Sequence, residues 1–213
     1  LLPGKVVEGL PVMALNVNNV DVNFYRVKPE SLASFVSQWE YRNSLTNWES
    51  DNLLKMAELV YTGRFDLNPA RNTREKLLLP LKDIKPLQQS GVYIAVMNQA
   101  GHYNYSNAAT LFTLSDIGLS AHRYHNRLDI FTQSLENGAA QSGVTVTLLN
   151  DKGQTLAEAN SDGDGHAKLE TDKEAALILA SKDGQTTLLD LKLPALDLAE
   201  FDIAGSPGYS KQF

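Results

Sequence analysis

Between Ser115 and Glu170 the chain is a series of short alternating segments cut by Gly, Asp and Asn, and this stretch constrains the fold more than any other. Val144, Val146 and Leu148 share one face of a strand, and Asn150-Asp151-Lys152-Gly153 supplies a turn. A second strand follows from Thr155 to Ala159. The acidic turn Asp162-Gly163-Asp164-Gly165 leads to a third strand carrying Ala167 and Leu169. Period-two alternation buries one face of such a meander, and its turns set the register. The pattern predicts a modular β-sandwich, a fold used for architecture.

At 213 residues the chain exceeds the usual single domain, and a break in pattern near Ser115 predicts two domains of roughly 100 residues each. A net charge of −6 argues against nucleic acid as a partner, because phosphate neutralisation needs clustered Lys and Arg. No apolar run approaches the roughly 20 residues of a membrane span. With no Cys, disulfides and thiolate chemistry are excluded within these residues, although the compartment is not settled by that. Leu1-Leu2-Pro3-Gly4 at one end and Tyr209-Ser210-Lys211-Gln212-Phe213 at the other read as cuts through a longer polypeptide.

The first domain is expected over residues 1–114. After an entry linker, Met13, Leu15 and Val17 alternate, Asn18-Asn19 makes a turn, and Val20, Val22 and Phe24 form the next face, which predicts a first strand pair. Leu32, Phe35, Val36 and Trp39 then stand at i, i+3, i+4 and i+7 behind Pro29, predicting an amphipathic helix over 29–40. Tyr41 to Asp51 reads as irregular, with Trp48 its only large anchor, and Leu53 to Ala57 as a helical turn. Strands are expected at 58–67, 76–79, 92–98 and 108–114. The second domain covers 115–193, with further strands at 176–181 and 187–193, and residues 194–213 read as an exit linker packed on a surface.

No constellation of side chains points to catalysis, and no catalytic, cofactor-binding or metal-ligating residue is assigned. His122 and His125 have HxxH spacing, but on a strand residues three apart face opposite ways. His102 and His166 lie in or beside polar turns. Asp162 and Asp164 offer two carboxylates where a calcium loop needs more, and the twelfth position from Asp162 is Lys173 rather than Glu. A type I′ or related turn explains them better. Ser206 lacks a nucleophile elbow, no phosphate-binding Gly-rich loop occurs, and Asp197, Glu200 and Asp202 read as a solvated face. Among Trp39, Trp48, Tyr61, Phe65, Tyr93, Tyr103 and Tyr105, only Tyr103 and Tyr105 are expected to be exposed, which is thin support for a sugar platform.

The segments VDVNFYRVKPESLASFVSQW, ELVYTGRFDL and SGVYIAVM, running into SDIGLSAHRYHNRLDIFTQSL and LLNDKGQTLAEANSDGDGHAKL, resemble the amino-terminal macroglobulin-like domains of bacterial alpha-2-macroglobulins over nearly the whole chain. The resemblance implies a mainly β chain: two tandem β-sandwich domains, macroglobulin-like and fibronectin-III-like, the first with an added α-helix. It further implies a scaffold fragment of a broad-spectrum endopeptidase inhibitor. Such a protein is periplasmic and lipid-anchored to the inner membrane, is cut in a bait region and captures the peptidase through a thioester domain. The thioester requires a Cys-x-Glu-Gln motif, absent here, so no functional residue of the family is carried onto these positions. The implied partners are other domains of the parent chain and, through the parent, trapped endopeptidases. A cell-envelope binding or adhesin-stalk module is the competing class; an enzyme is the weakest.

Overall fold

The computed structural model describes residues 9–39, 43–102, 104–170, 175–191, 196–197 and 209–212. Its contacts divide the chain between Leu114 and Ser115 into two units. In the first, β1 (Gly9–Ala14) pairs antiparallel with β5 (Glu75–Pro80), Gly9 opposite Pro80 and Ala14 opposite Glu75. A five-stranded antiparallel sheet is built from β2 (Asn19–Val27), β3 (Ser44–Thr46), β4 (Ala57–Asp66), β6 (Gly91–Gln99) and β7 (Ser106–Leu114), in the order β3-β7-β6-β2-β4. Leu10, Val12 and Leu79 of the ribbon share a core with Val20, Val22, Phe24, Phe65, Tyr93, Ala95 and Phe112 of the sheet. The rings of Phe65 and Phe112 meet Phe24 edge-on, a preferred geometry for aromatic pairs.

This arrangement corrects the expected first strand pair. β1 ends at Ala14 and pairs with β5 rather than β2, and its inward residues are Leu10, Val12 and Ala14, while Met13 and Leu15 point to solvent. Left-handed Asn16 ends the extended run one residue after Leu15, so the alternation through Val17 does not continue as strand.

The expected helix is present as a 3₁₀ turn at Pro29–Ser31 and α1 at Leu32–Trp39, with Leu32, Phe35, Val36 and Trp39 all buried. Pro29 is tolerated there because the first turn has no intrahelical acceptor for its missing N–H. Glu40 lies outside the described residues, as do residues 1–8 of the entry linker. Val92, Ile94 and Val96 of β6 are buried on the face opposite Tyr93 and Ala95, where the ribbon does not reach. The apolar stripe of α1 is the kind of cover such a face needs. A second helix, α2 (Asn47–Leu54), stands where an irregular segment and a later helical turn were expected.

The second unit is a two-sheet sandwich. One sheet runs β11 (Thr155–Asn160), β10 (Thr145–Leu149), β13 (Leu177–Lys182), β14 (Gln185–Asp190). The other begins β12 (His166–Glu170), β9 (Arg127–Ser134), β8 (Ile117–Arg123). All these pairings are antiparallel. Three strands facing four, with the chain crossing between sheets after β9, β11 and β12, is the fibronectin-III-like sandwich expected from the sequence. Ile117, Leu119, Leu128 and Ile130 from one sheet and Val146, Leu148, Ile178 and Leu189 from the other fill its core. Of the expected exit linker 194–213, β15 (Leu196–Asp197) and β16 (Tyr209–Gln212) pair with each other, and β16 extends the second sheet along the edge of β8.

Candidate functional site

A polar cluster stands on the outward face of the sheet β12-β9-β8. Alternation along β9 turns Leu128 and Ile130 into the core and leaves Arg127, Asp129 and Phe131 facing out. Register then sets His166 opposite Phe131 and His122 opposite Asp129. The His166 ring stacks on Phe131 with centroids 4.9 Å apart, and His122 meets Phe131 edge-on at 5.6 Å. His166 Nε2 lies 3.0 Å from Asp129 Oδ1, and an Arg127 guanidinium nitrogen lies 2.8 Å from Asp129 Oδ2. Arg127 also covers the Tyr124 ring at 4.5 Å, a cation–π distance.

Both oxygens of the nearly buried Asp129 are therefore engaged, one by each cation-forming partner. Among the described residues no serine or threonine hydroxyl is hydrogen-bonded to His122 or His166, so the cluster holds a base and an acid without a nucleophile. It is a cross-strand ladder that ties three strands together. Sequence reading missed the His166–Asp129 pair, because its members are 37 residues apart and only the β9–β12 register joins them.

The acidic turn is also consumed by structure. Asp162 Oδ1 accepts hydrogen bonds from the N–H groups of Asp164 and His166 at 3.0 and 2.9 Å, and Gly165 N donates to the Asp162 carbonyl. Only Gly165 in this turn has a left-handed φ, +74°, so it is a type I turn closed by a left-handed glycine, not type I′. The type I′ pair is Asp183-Gly184, with φ of 50° and 75° between β13 and β14. His125 sits exposed in the turn joining β8 to β9, and His102 donates its backbone N–H to Gln99 O in another turn. The described residues contain no group of three or more His, Cys, Asp or Glu placed to hold a metal ion. Asp197 belongs to β15, while Glu200, Asp202 and Ser206 lie outside the described residues.

Trp39, Phe65 and Tyr93 are buried and Tyr61 half-buried, whereas Tyr105 is 75% exposed. Tyr103 lies outside the described residues. Trp48, read as an anchor, is instead 73% exposed, on the first turn of α2. That helix starts with a capping box: Thr46 N and Oγ1 both donate to Glu49 Oε2 at 2.8 Å, and Glu49 N donates back to Thr46 Oγ1 at 3.3 Å. The Thr46-x-x-Glu49 spacing was the signal available in the sequence.

Hydrogen bonding to Arg64 holds the Asp21 carboxyl below its ordinary range. Burial pushes the Tyr93 and Tyr25 phenols up, and the Tyr93 hydroxyl donates to the Gln89 carbonyl oxygen at 2.7 Å. These are structural ties within one sheet and its border.

Among the described residues no arrangement of side chains announces an activity, and kinship carries the assignment. Residues 1–112 match the bacterial alpha-2 macroglobulin MG2 domain, and residues 114–208 the bacterial alpha-2-macroglobulin MG3 domain. The chain belongs to the bacterial alpha-2-macroglobulin family. It is 84% identical to Alpha-2-macroglobulin of Escherichia coli K12 over its whole length while spanning 13% of that relative. The crystal structure of native E. coli alpha-2-macroglobulin spanning domains NIE-MG1 is similar with a TM-score of 0.82 and 83% identity, over 90% of this chain and 92% of that one. The structure spanning MG0-NIE-MG1 gives 0.78 and 81%, over 90% and 60%. Trypsin-activated E. coli alpha-2-macroglobulin gives 0.76 and 83%, over 97% and 14%.

Proposed function

We propose that these residues are a scaffold and spacer within a broad-spectrum endopeptidase inhibitor. In this reading an attacking peptidase cuts the parent's bait region and is captured by its thioester domain. The parent is periplasmic and lipid-anchored to the inner membrane, and the fragment itself is not an enzyme. The observation that carries the reading is the 84% identity across the entire chain to a relative of which it makes up 13%, together with a trypsin-activated state of that relative. Two cores without a catalytic cluster and a sequence without cysteine suit a part that holds other parts in place.

Trypsin distinguishes the scaffold from the working parts. Incubated with the full-length parent, it is expected to form a covalent adduct visible on a denaturing gel. Incubated with the 213-residue chain alone, it is expected to keep its activity on small and large substrates. A parent that forms no adduct refutes the trap, and stoichiometric inhibition by the isolated chain refutes the scaffold assignment.

A further inference from the structure

β1 and the residue after it read Leu10-Pro11-Val12-Met13-Ala14-Leu15, six apolar residues in succession. A strand with one wet face alternates apolar with polar, and continuous apolar runs belong to strands covered on both faces. Here only one face is covered. Leu10, Val12 and Ala14 are 4, 8 and 4% exposed, yet Met13 and Leu15 are 55 and 51% exposed. The partner strand repeats the mismatch, with Leu79 fully buried and Leu78 51% exposed. Register places Leu78 directly opposite Pro11, two pairs along the ladder from Met13 and so on the same face, and the outward side chains form one patch. Lys76 stands opposite Met13 on this face.

The size of the patch restricts what covers it. Two strands of six residues present a face about 20 Å long and 10 Å wide, on the order of 200 Å², against about 800 Å² per partner in a standard stable interface. A second copy or a free peptidase would gain too little there to offset the freedom lost on association. A domain tethered to the same chain is held at millimolar effective concentration and escapes most of that loss.

We propose that the outward face of the β1–β5 ribbon is the seat of the domain that precedes this pair in the parent chain, as MG0 is named before NIE-MG1 in the E. coli structure spanning MG0-NIE-MG1. β1 is the first described strand of its domain, so among the described elements the ribbon stands nearest in sequence to a preceding domain. The docked surface is apolar, with an oxygen acceptor at its border for Lys76. The proposal rests on the reading of this chain as part of a longer alpha-2-macroglobulin.

Met13 is its own reporter, since dilute hydrogen peroxide converts an accessible thioether to the sulfoxide. The comparison is between the two-domain chain and a chain extended by the preceding domain; the E. coli counterparts of both crystallise as pieces. Met13 is expected to oxidise about tenfold more slowly in the extended chain, with Met56 and Met97 unchanged as internal references. Leu78→Lys in the extended chain is expected to restore oxidation, and amide exchange across β1 follows the same docking without a substitution. Equal oxidation and exchange in the two chains overturn the proposal. So does protection that Leu78→Lys does not relieve, and so does protection in the two-domain chain that grows with concentration, which marks a second copy. Adduct formation between the parent and trypsin is scored separately, so loss of the trap reading and loss of this docking face are told apart.

Discussion

Replacing Gly165 by alanine tests whether the acidic turn is structural, and Gly184→Ala supplies its matched control. Both glycines have left-handed φ, +74° and +75°, so the backbone strain of an added Cβ is the same, about 1–2 kcal/mol. Their surroundings differ. A Cβ at Gly184 meets nothing within 4 Å, whereas at Gly165 it runs into the Thr132 carbonyl oxygen and lies 3.2 Å from Gln141 N. Relief of that clash must shift backbone on which Thr132 N donates to Gly165 O at 2.8 Å and Thr132 Oγ1 bonds Gln141 O at 2.6 Å and Gly165 O at 3.1 Å.

Losing two such bonds adds about 2 kcal/mol, giving about 3–4 kcal/mol for Gly165→Ala. At about 4–8 °C per kcal/mol for a domain of this size, its melting point falls by 12 °C or more, and that of Gly184→Ala by about half as much or less. Both tryptophans, Trp39 and Trp48, lie in the first domain, so fluorescence is blind to this loss. Calorimetry of the whole chain is the assay. Equal losses for the two variants would falsify the claim that close packing under the turn, rather than φ alone, demands glycine.

Glu49→Ala, which removes the carboxylate shared by Thr46 N and Oγ1, is expected to cost about 1 kcal/mol; unchanged amide exchange in the first turn of α2 would contradict the capping assignment. Thr187 Oγ1 is buried without a hydrogen-bond partner, so Thr187→Val is expected to stabilise the second domain by about 1 kcal/mol, and a loss of that size would mean the hydroxyl is satisfied. Asp21, held below its usual value of 3.8 by Arg64, contributes stability that is present above that pH and is lost as pH falls through the lowered value. An NMR titration is expected to place its midpoint below 3.8 and Arg64→Ala to raise it; an indifferent midpoint removes the pair as the cause.

What the sequence disclosed depended on how local the information was. Leu32, Phe35, Val36 and Trp39 carry a helical period within eight residues, and α1 follows it. Val146 and Leu148 likewise alternate within one strand and are fully buried. By contrast α2 has no apolar stripe to betray it; its mark is the polar pair Thr46 and Glu49, whose meaning lies in hydrogen bonds rather than periodicity. Pairing is less local still. Asn18-Asn19 suggested a hairpin from β1 to β2, but β1 finds its partner only after β2, α1, β3, α2 and β4, and an apolar run with no polar alternate residue gave no hint of which face turned inward. The Asp129–His166 contact depends on two strands meeting in register, which no local pattern encodes.

The pairing of β1 with β5 also orders events in time. Gly9 waits for Pro80 and Ala14 for Glu75, so more than sixty residues must be made before the first strand has a hydrogen-bonding neighbour. At about 5–20 residues per second a ribosome spends roughly 3–14 s on that interval. Throughout it, the nascent chain carries an unpaired run of six apolar residues, and closing so long a loop costs entropy before any contact returns it. The ribbon therefore waits on a long loop closure, as does the pairing of β2 with β6, and this apolar run needs shielding while the chain is still growing.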